Sequence, residues 1–277
     1  MDDLIVRLVQ DKWVEPADLA AAKQEAVRFG KSLWTAFIKL GYLSEEDIAV
    51  FFSTLSNIPY VKVSDYEISP EVLSLADEVF YRTNLAIPVF KIRNVLFVAC
   101  ANPLDTGLID NLNQISNCDI EPLLASANSI TGALNYYYGP PQKDFEIEKF
   151  MIKRNTLKGL AFWRESERLR LEVPLRIMID DQSLVLHHAP VIDCRTTNIS
   201  RNGSAVGAQV FLFLPKGVYV SLEFKLEGAL GAEPRIIKAK GEIVHSHMEK
   251  GQRYFLGIKL IGAANNEVQD LIGLSEK

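Results

Sequence analysis

Three features of this 277-residue chain predict an α+β fold in two parts: a helical repeat with a small α/β subdomain, then an antiparallel β-barrel with a closing helix. The first is an internal repeat with an offset of 29 near the N-terminus. The second is a series of short alternating apolar runs from Leu169 onward, separated by Gly, Pro, Asn or Asp. The third is a shift in charge. Residues 1–139 hold 10 Lys+Arg against 18 Asp+Glu, residues 160–277 hold 15 against 14, and Pro140-Pro141 lies between. Together they divide the chain into a domain over 1–139 (helical 1–56, α/β 57–139), a linker over 140–159 and a second domain over 160–277.

In the repeat, Leu4 aligns with Leu33, Leu8 with Phe37, Val14 with Leu43 and Leu19 with Ile48. Each copy reads as a helix, a tight turn and a second helix. That second helix is opened by Pro16 in the first copy and by the Ser44-x-x-Asp47 capping box in the other. Apolar residues recur at helical spacing, so each unit buries one face against the other. The stretch from Leu85 reads as strand and turn into a helix opened near Asn102-Pro103, and that from Cys118 as strand then helix. Packed together they make a compact subdomain, with the apolar run Val95 to Ala99 as its central strand. In the linker, Asp144 to Asn155 reads as a short helix with Phe145, Ile147, Phe150 and Met151 available to dock.

The second domain shows β-type runs at Leu171–Ile179, Leu184–His187, Val191–Asn198, Ser204–Val210, Val218–Leu226, Arg235–Met248 and Arg253–Ile261. Val218, Val220, Leu222 and Phe224 alternate with Tyr219, Ser221, Glu223 and Lys225, the period of a half-buried strand. About six or seven such strands with turn signals between them predict a small closed barrel. Asn265 to Leu274 reads as the closing helix.

Two short motifs carry the chemistry: Arg164-x-x-x-Arg168 and Asn198-x-Ser200-x-x-Gly203. A guanidinium pairs bidentately with phosphate or with guanine O6 and N7, and stacks on a base. The Asn198 amide both donates and accepts, so it can read a guanine edge. Ser200 can bond a base edge or the local backbone, and Gly203 allows positive φ or close approach of a ligand. Separately, the same residues would suit a salt-bridged face and an ordinary turn. In this order and in a β-rich segment, they suit a ligand rich in phosphate and guanine.

The segment over about 160–277 resembles the PilZ domain family, whose signatures are RxxxR and D/NxSxxG. The resemblance implies a barrel that binds the second messenger cyclic di-GMP. Arg164 and Arg168 would hold phosphate and guanine, Asn198 and Ser200 guanine, and Gly203 the backbone shape. It also implies that the segment around Arg164 reorders when ligand binds. Residues 1 to about 139, through SNIPYVKVSDYEISPEVLSL, LAIPVFKIRNVLFVACANPLD and CDIEPLLASANSITGALNYYYG, resemble the N-terminal domain of type II secretion and type IV pilus assembly ATPases (MshEN-like).

Some members of that second family bind cyclic di-GMP through two copies of RLGxxLxxxGxxxxxxLxxxLxxQ. Here the Arg-Leu-Gly positions are Asp3-Leu4-Ile5 and Ser32-Leu33-Trp34, the later Gly is Lys12 or Gly41, and the Gln is Ala26 or Leu55. The apolar skeleton remains while the polar contacts are gone, so this half is expected to serve protein contacts. No Gly-x-x-x-x-Gly-Lys-Ser/Thr phosphate loop occurs, so no ATPase activity is expected. The resemblance implies a protein partner in a pilus, type II secretion or motility machine. The alternative is a nucleotide-independent scaffold.

Other features exclude further classes. A net charge of −5 without a basic excess in either half excludes a nucleic-acid binder. Cys100, Cys118 and Cys194 are scattered and lack metal spacing, as expected of reduced thiols in a cytoplasmic protein. His245 and His247 share a strand face without a third ligand, so no metal and no cofactor are expected. Asp180-Asp181 suits a turn and Glu45-Glu46-Asp47 a helix N-terminus, and no catalytic constellation stands out. No signal peptide is expected, nor any span across a membrane.

Overall fold

The computed structural model describes residues 2–141, 168–187, 191–200, 203–226, 234–249 and 253–261. Arg164, the helix expected over 144–155 and the closing helix expected over 265–274 lie outside the described residues.

The repeat becomes two helix-turn-helix units, α1 (Asp2–Gln10) with α2 (Pro16–Phe29), and α3 (Leu33–Lys39) with α4 (Glu45–Ser56). The correspondence extends to the turns. Trp13 N and Val14 N donate to Leu8 O, and 29 residues later Tyr42 N and Leu43 N donate to Phe37 O. Leu8 and Phe37 are fully buried and face one small core with Val14, Leu43 and Phe51. Pro16 opens α2 and a complete capping box between Ser44 and Asp47 opens α4. Each turn needs one left-handed residue. The second copy supplies Gly41 at φ 72°, whereas the first places Lys12 at φ 56°. A β-carbon in that region costs about 1–2 kcal/mol. Lys12→Gly is therefore expected to raise stability by up to about 1 kcal/mol, read as a higher denaturant midpoint with unchanged m-value.

The α/β subdomain follows as β1 (Tyr66–Glu67), α5 (Pro70–Leu73), α6 (Glu78–Asn84), β2 (Ala86–Ile92), β3 (Val95–Cys100), α7 (Thr106–Ser116), β4 (Asp119–Leu124) and α8 (Ala127–Tyr138). The sheet order is β2-β3-β4, with β2 antiparallel and β4 parallel to β3, so the run from Val95 is central as expected. It is buried on both faces, which accounts for its unbroken apolar sequence. The buried Arg82 fastens α6 to the end of α8. Its guanidinium donates to Glu78, to Asn135 Oδ1 and to the carbonyls of Leu134 and Gly139, a cation placed at the negative end of the helix.

The barrel strands are β5 (Arg168–Arg170), β6 (Pro174–Ile179), β8 (Val191–Ser200), β9 (Ala205–Val210), β10 (Tyr219–Leu226), β11 (Arg235–Glu249) and β12 (Arg253–Ile261), with β7 (Val185–Leu186) elsewhere. Their order is β5-β8-β6-β10-β11-β12-β9, and pairing of β8 with β9 closes six of them into a barrel with β5 as an extra strand. Inward residues such as Leu175, Ile177, Ile199, Val206, Val220, Leu222, Phe224 and Ile258 fill it. The run Leu184–His187, which alternation placed among the barrel strands, pairs instead with the first domain: Val185 opposes Glu67 and Leu186 opposes Tyr66.

That pairing forms part of a broad junction. The Tyr66 hydroxyl donates to Phe213 O at 2.7 Å, and His187 N donates to Asp65 O at 3.1 Å. Met248 of β11 packs against Ala49, Val50, Tyr60 and Leu124. No helix among the described residues is long and apolar enough to cross a membrane.

Candidate functional site

The site is built where β5, β8 and β9 meet. In an antiparallel pair, directly opposed residues point to the same face. Leu169 opposes Ile199, which is fully buried, so this pair faces the core. Arg168 opposes Ser200 and Arg170 opposes Asn198, the register positions on either side of that pair. Two motifs thirty residues apart in sequence are thereby brought side by side.

A bulge decides which way Asn198 points. On β8, Arg195 pairs with Gln209 and Thr196 with Ala208, then the register skips Thr197 so that Asn198 pairs with Gly207. With strict alternation Asn198 would follow Thr196 into the interior. The extra residue reverses the parity and turns the amide outward, as bulges do next to functional sites. Thr196 itself is buried and satisfied: its hydroxyl donates to Leu171 O at 2.7 Å and accepts from Val173 N at 2.9 Å. It thereby fixes the bend at which β5 gives way to β6.

The half-buried Asn198 donates through Nδ2 to Thr197 Oγ1 at 3.1 Å. Its amide lies over Gly207, where a β-carbon would stand 2.7 Å from Oδ1 and 2.9 Å from Nδ2. Ser200 is fully buried, and its Oγ accepts from Ala205 N at 2.9 Å. Of the two roles open to Ser200, the local backbone bond is the one observed; the hydroxyl staples the turn. Gly203 takes φ 65° and donates its N–H to Ser200 O at 2.8 Å, the positive-φ role expected of it.

Sequence reasoning passed over three residues. Arg170 stands opposite Asn198, largely exposed, and bonds Glu172 at 2.6 Å, which holds that carboxyl below its usual range. Its signal was the Arg-Leu-Arg alternation. Gly207 and Gly257 oppose one another on β9 and β12 and flatten the outer face. Their signal was glycine inside a strand pattern, which marks close approach of another group. Beside them a second bulge, after Ile243, turns His245 outward onto the same face as His247, 2.7 Å from ring nitrogen to ring nitrogen. No cluster of three metal-ligating side chains occurs among the described residues. Burial pushes the Cys100 and Cys194 thiols up to about 12, away from nucleophilic chemistry at neutral pH.

Comparison with known proteins follows the division into two domains. Residues 56–144 match the MshEN domain family. The type IV pilus assembly ATPase PilB of Myxococcus xanthus is 27% identical over 140 residues, which are 50% of this chain and 25% of that protein. PilB of Thermus thermophilus is 26% identical over 158 residues, 52% of this chain and 18% of that protein. The chain thus spans a quarter or less of these relatives, and the similarity is limited to their N-terminal domain. Among solved structures, MshE with cdg is 25% identical and covers 49% of this chain and 98% of that one, with a TM-score of 0.42. The PilZ domain with c-di-GMP of YcgR from Escherichia coli is 11% identical and covers 41% of this chain and 88% of that one, with a TM-score of 0.28. The match to the MshEN domain family thus covers residues 56–144, and the six-stranded barrel follows it in the chain.

Proposed function

We propose that the chain is a non-enzymatic cyclic di-GMP receptor and adaptor. The barrel binds the nucleotide through Arg164, Arg168, Asn198, Ser200 and Gly203, with Ser200 acting through the turn it staples. The observation that carries this reading is the register of β5 on β8, which sets Arg168 opposite Ser200 and Arg170 opposite Asn198. A guanidinium and an outward amide on one glycine-flattened face are what a guanylyl phosphate requires.

The MshEN domain acts through protein contacts, with a partner in a pilus, type II secretion or motility assembly. Packing in its helical repeat supports this assignment. Trp34, at a position where the nucleotide-binding motif has glycine, is wedged among Phe37, Phe51 and Phe52 with ring centroids 5.1–6.1 Å apart. The indole thus stands where the motif's glycine would carry no side chain at all. The linker over 140–159 joins sensor to adaptor, and ligand held on the barrel shifts the population of domain arrangements.

Isothermal titration of cyclic di-GMP into the full chain tests the reading. Binding at micromolar affinity or tighter is expected. Arg164→Ala/Arg168→Ala is expected to weaken it by at least about a hundredfold, the loss of two charge-assisted contacts. No binding to the wild type by calorimetry and by equilibrium dialysis leaves the scaffold as the function.

A further inference from the structure

The outer face that carries Asn198 continues into a cleft of about 660 Å³ along β8 and β9. Ligand pockets commonly span about 300–1,000 Å³. Two contacts join the cleft to the candidate site. Thr197, which lines it, accepts the Asn198 amide hydrogen bond, and Gln209, also lining it, is two residues from Gly207 on the same face. Phe211 projects into solvent at its rim, 74% exposed, with the Arg253 guanidinium 5.5 Å from the ring centroid. Arg195, cross-strand from Gln209, supplies a second exposed guanidinium.

The charge balance favours an anion more than the raw lining does. Three carboxylates border the cleft, those of Asp65, Glu172 and Asp193. Glu172 is engaged by Arg170 at 2.6 Å and Asp193 by Arg176 at 2.9 Å, both arginines lying outside the cleft lining. Arg195 and Arg253 add two guanidinium groups to the cleft lining, beside carboxylates of which Glu172 and Asp193 are already engaged.

The geometry points to a second purine-nucleotide subsite in this cleft, which takes one guanylyl unit of a ligand whose other unit lies against Asn198. The base stacks on the Phe211–Arg253 platform, Gln209 reads its edge and Arg195 pairs with phosphate. This assignment rests on the receptor reading above and adds to it the residues that hold the far half of the ligand. Because Asp65 lies in the first domain, a ligand there also touches the wall between the two modules.

Cyclic di-GMP titrated into the full chain, alongside Phe211→Ala/Arg253→Ala, Arg195→Gln and Arg164→Ala/Arg168→Ala, tests it. All the cleft side chains changed are exposed, so thermal melts of those variants are expected to match the wild type. The Phe211/Arg253 variant is expected to bind about tenfold more weakly or worse, the usual loss of one base–aromatic stack, and Arg195→Gln to bind more weakly with a reduced salt dependence. Wild-type affinity in both, with binding lost only in Arg164→Ala/Arg168→Ala, overturns the subsite and leaves the receptor reading intact. Absence of binding to the wild type removes both.

Discussion

Gly207→Ala is expected to weaken cyclic di-GMP binding by about tenfold or more while changing stability by no more than about 1 kcal/mol. The new β-carbon would stand 2.7 Å from Asn198 Oδ1 and 2.7 Å from Phe255 Cζ. Both atoms are side-chain tips, so the barrel accommodates the methyl group by moving them, at little cost to the core. The amide that reads the guanine edge is displaced in the process, and the flat face gains a bump. Gly241→Ala is the informative contrast. There the β-carbon would meet Ile258 Cγ2 at 2.5 Å and Lys259 O at 3.2 Å, a core side chain and the backbone. Overpacking of that kind costs about 1–3 kcal/mol and acts on the fold, away from Asn198. Calorimetric affinity measured beside the denaturation midpoint separates the two. Unchanged affinity in Gly207→Ala would remove Asn198 from the binding surface.

Period and capping carried most of the fold in the sequence. The repeat aligned Leu8 with Phe37 because both fill the same core, and Ser44-x-x-Asp47 named a helix start that the structure reproduces bond for bond. β10 followed from alternation, since Val220, Leu222 and Phe224 are buried while Ser221 and Glu223 between them are only half-buried. What alternation could not reveal was partner choice. Leu184–His187 has the composition of a strand, but which strand it joins depends on Tyr66, more than a hundred residues away. The bulges were equally hidden. A skip of one residue at Thr197 leaves no mark in composition, yet it determines that Asn198 faces out and Thr196 faces in. Asn198, Ser200 and Gly203 were legible as a motif, and Gly203 as a positive-φ position. The division of labour between Asn198 on the surface and Ser200 beneath it depended on the turn.

The junction between the modules has a single side chain at its centre, and Tyr66→Ala is expected to destabilise the chain by about 3–5 kcal/mol. Tyr66 is 1% exposed, its ring lies 5.4 Å from that of Phe90, and its hydroxyl reaches across to Phe213 O. Truncation opens a cavity beside β1 and leaves a buried carbonyl without a donor, two independent penalties. Tyr66→Phe keeps the ring and loses only the bond, and is expected to cost about 1–3 kcal/mol. Burial raises the Tyr66 hydroxyl well above its usual range, with Asp65 adding to the effect. A group whose folded pKa is raised contributes stability that is complete below its unfolded value, about 10, and that declines as the pH rises beyond it. The wild type is therefore expected to lose stability above about pH 10 relative to Tyr66→Phe, so the gap between the two narrows there. Urea denaturation followed at neutral and alkaline pH measures both terms. If the modules are joined through this residue, wild type unfolds in one transition, and Tyr66→Ala resolves into two as the barrel and the first domain separate. One transition with an unshifted midpoint in Tyr66→Ala would place the coupling elsewhere, in the Met248 contact with Val50, Tyr60 and Leu124.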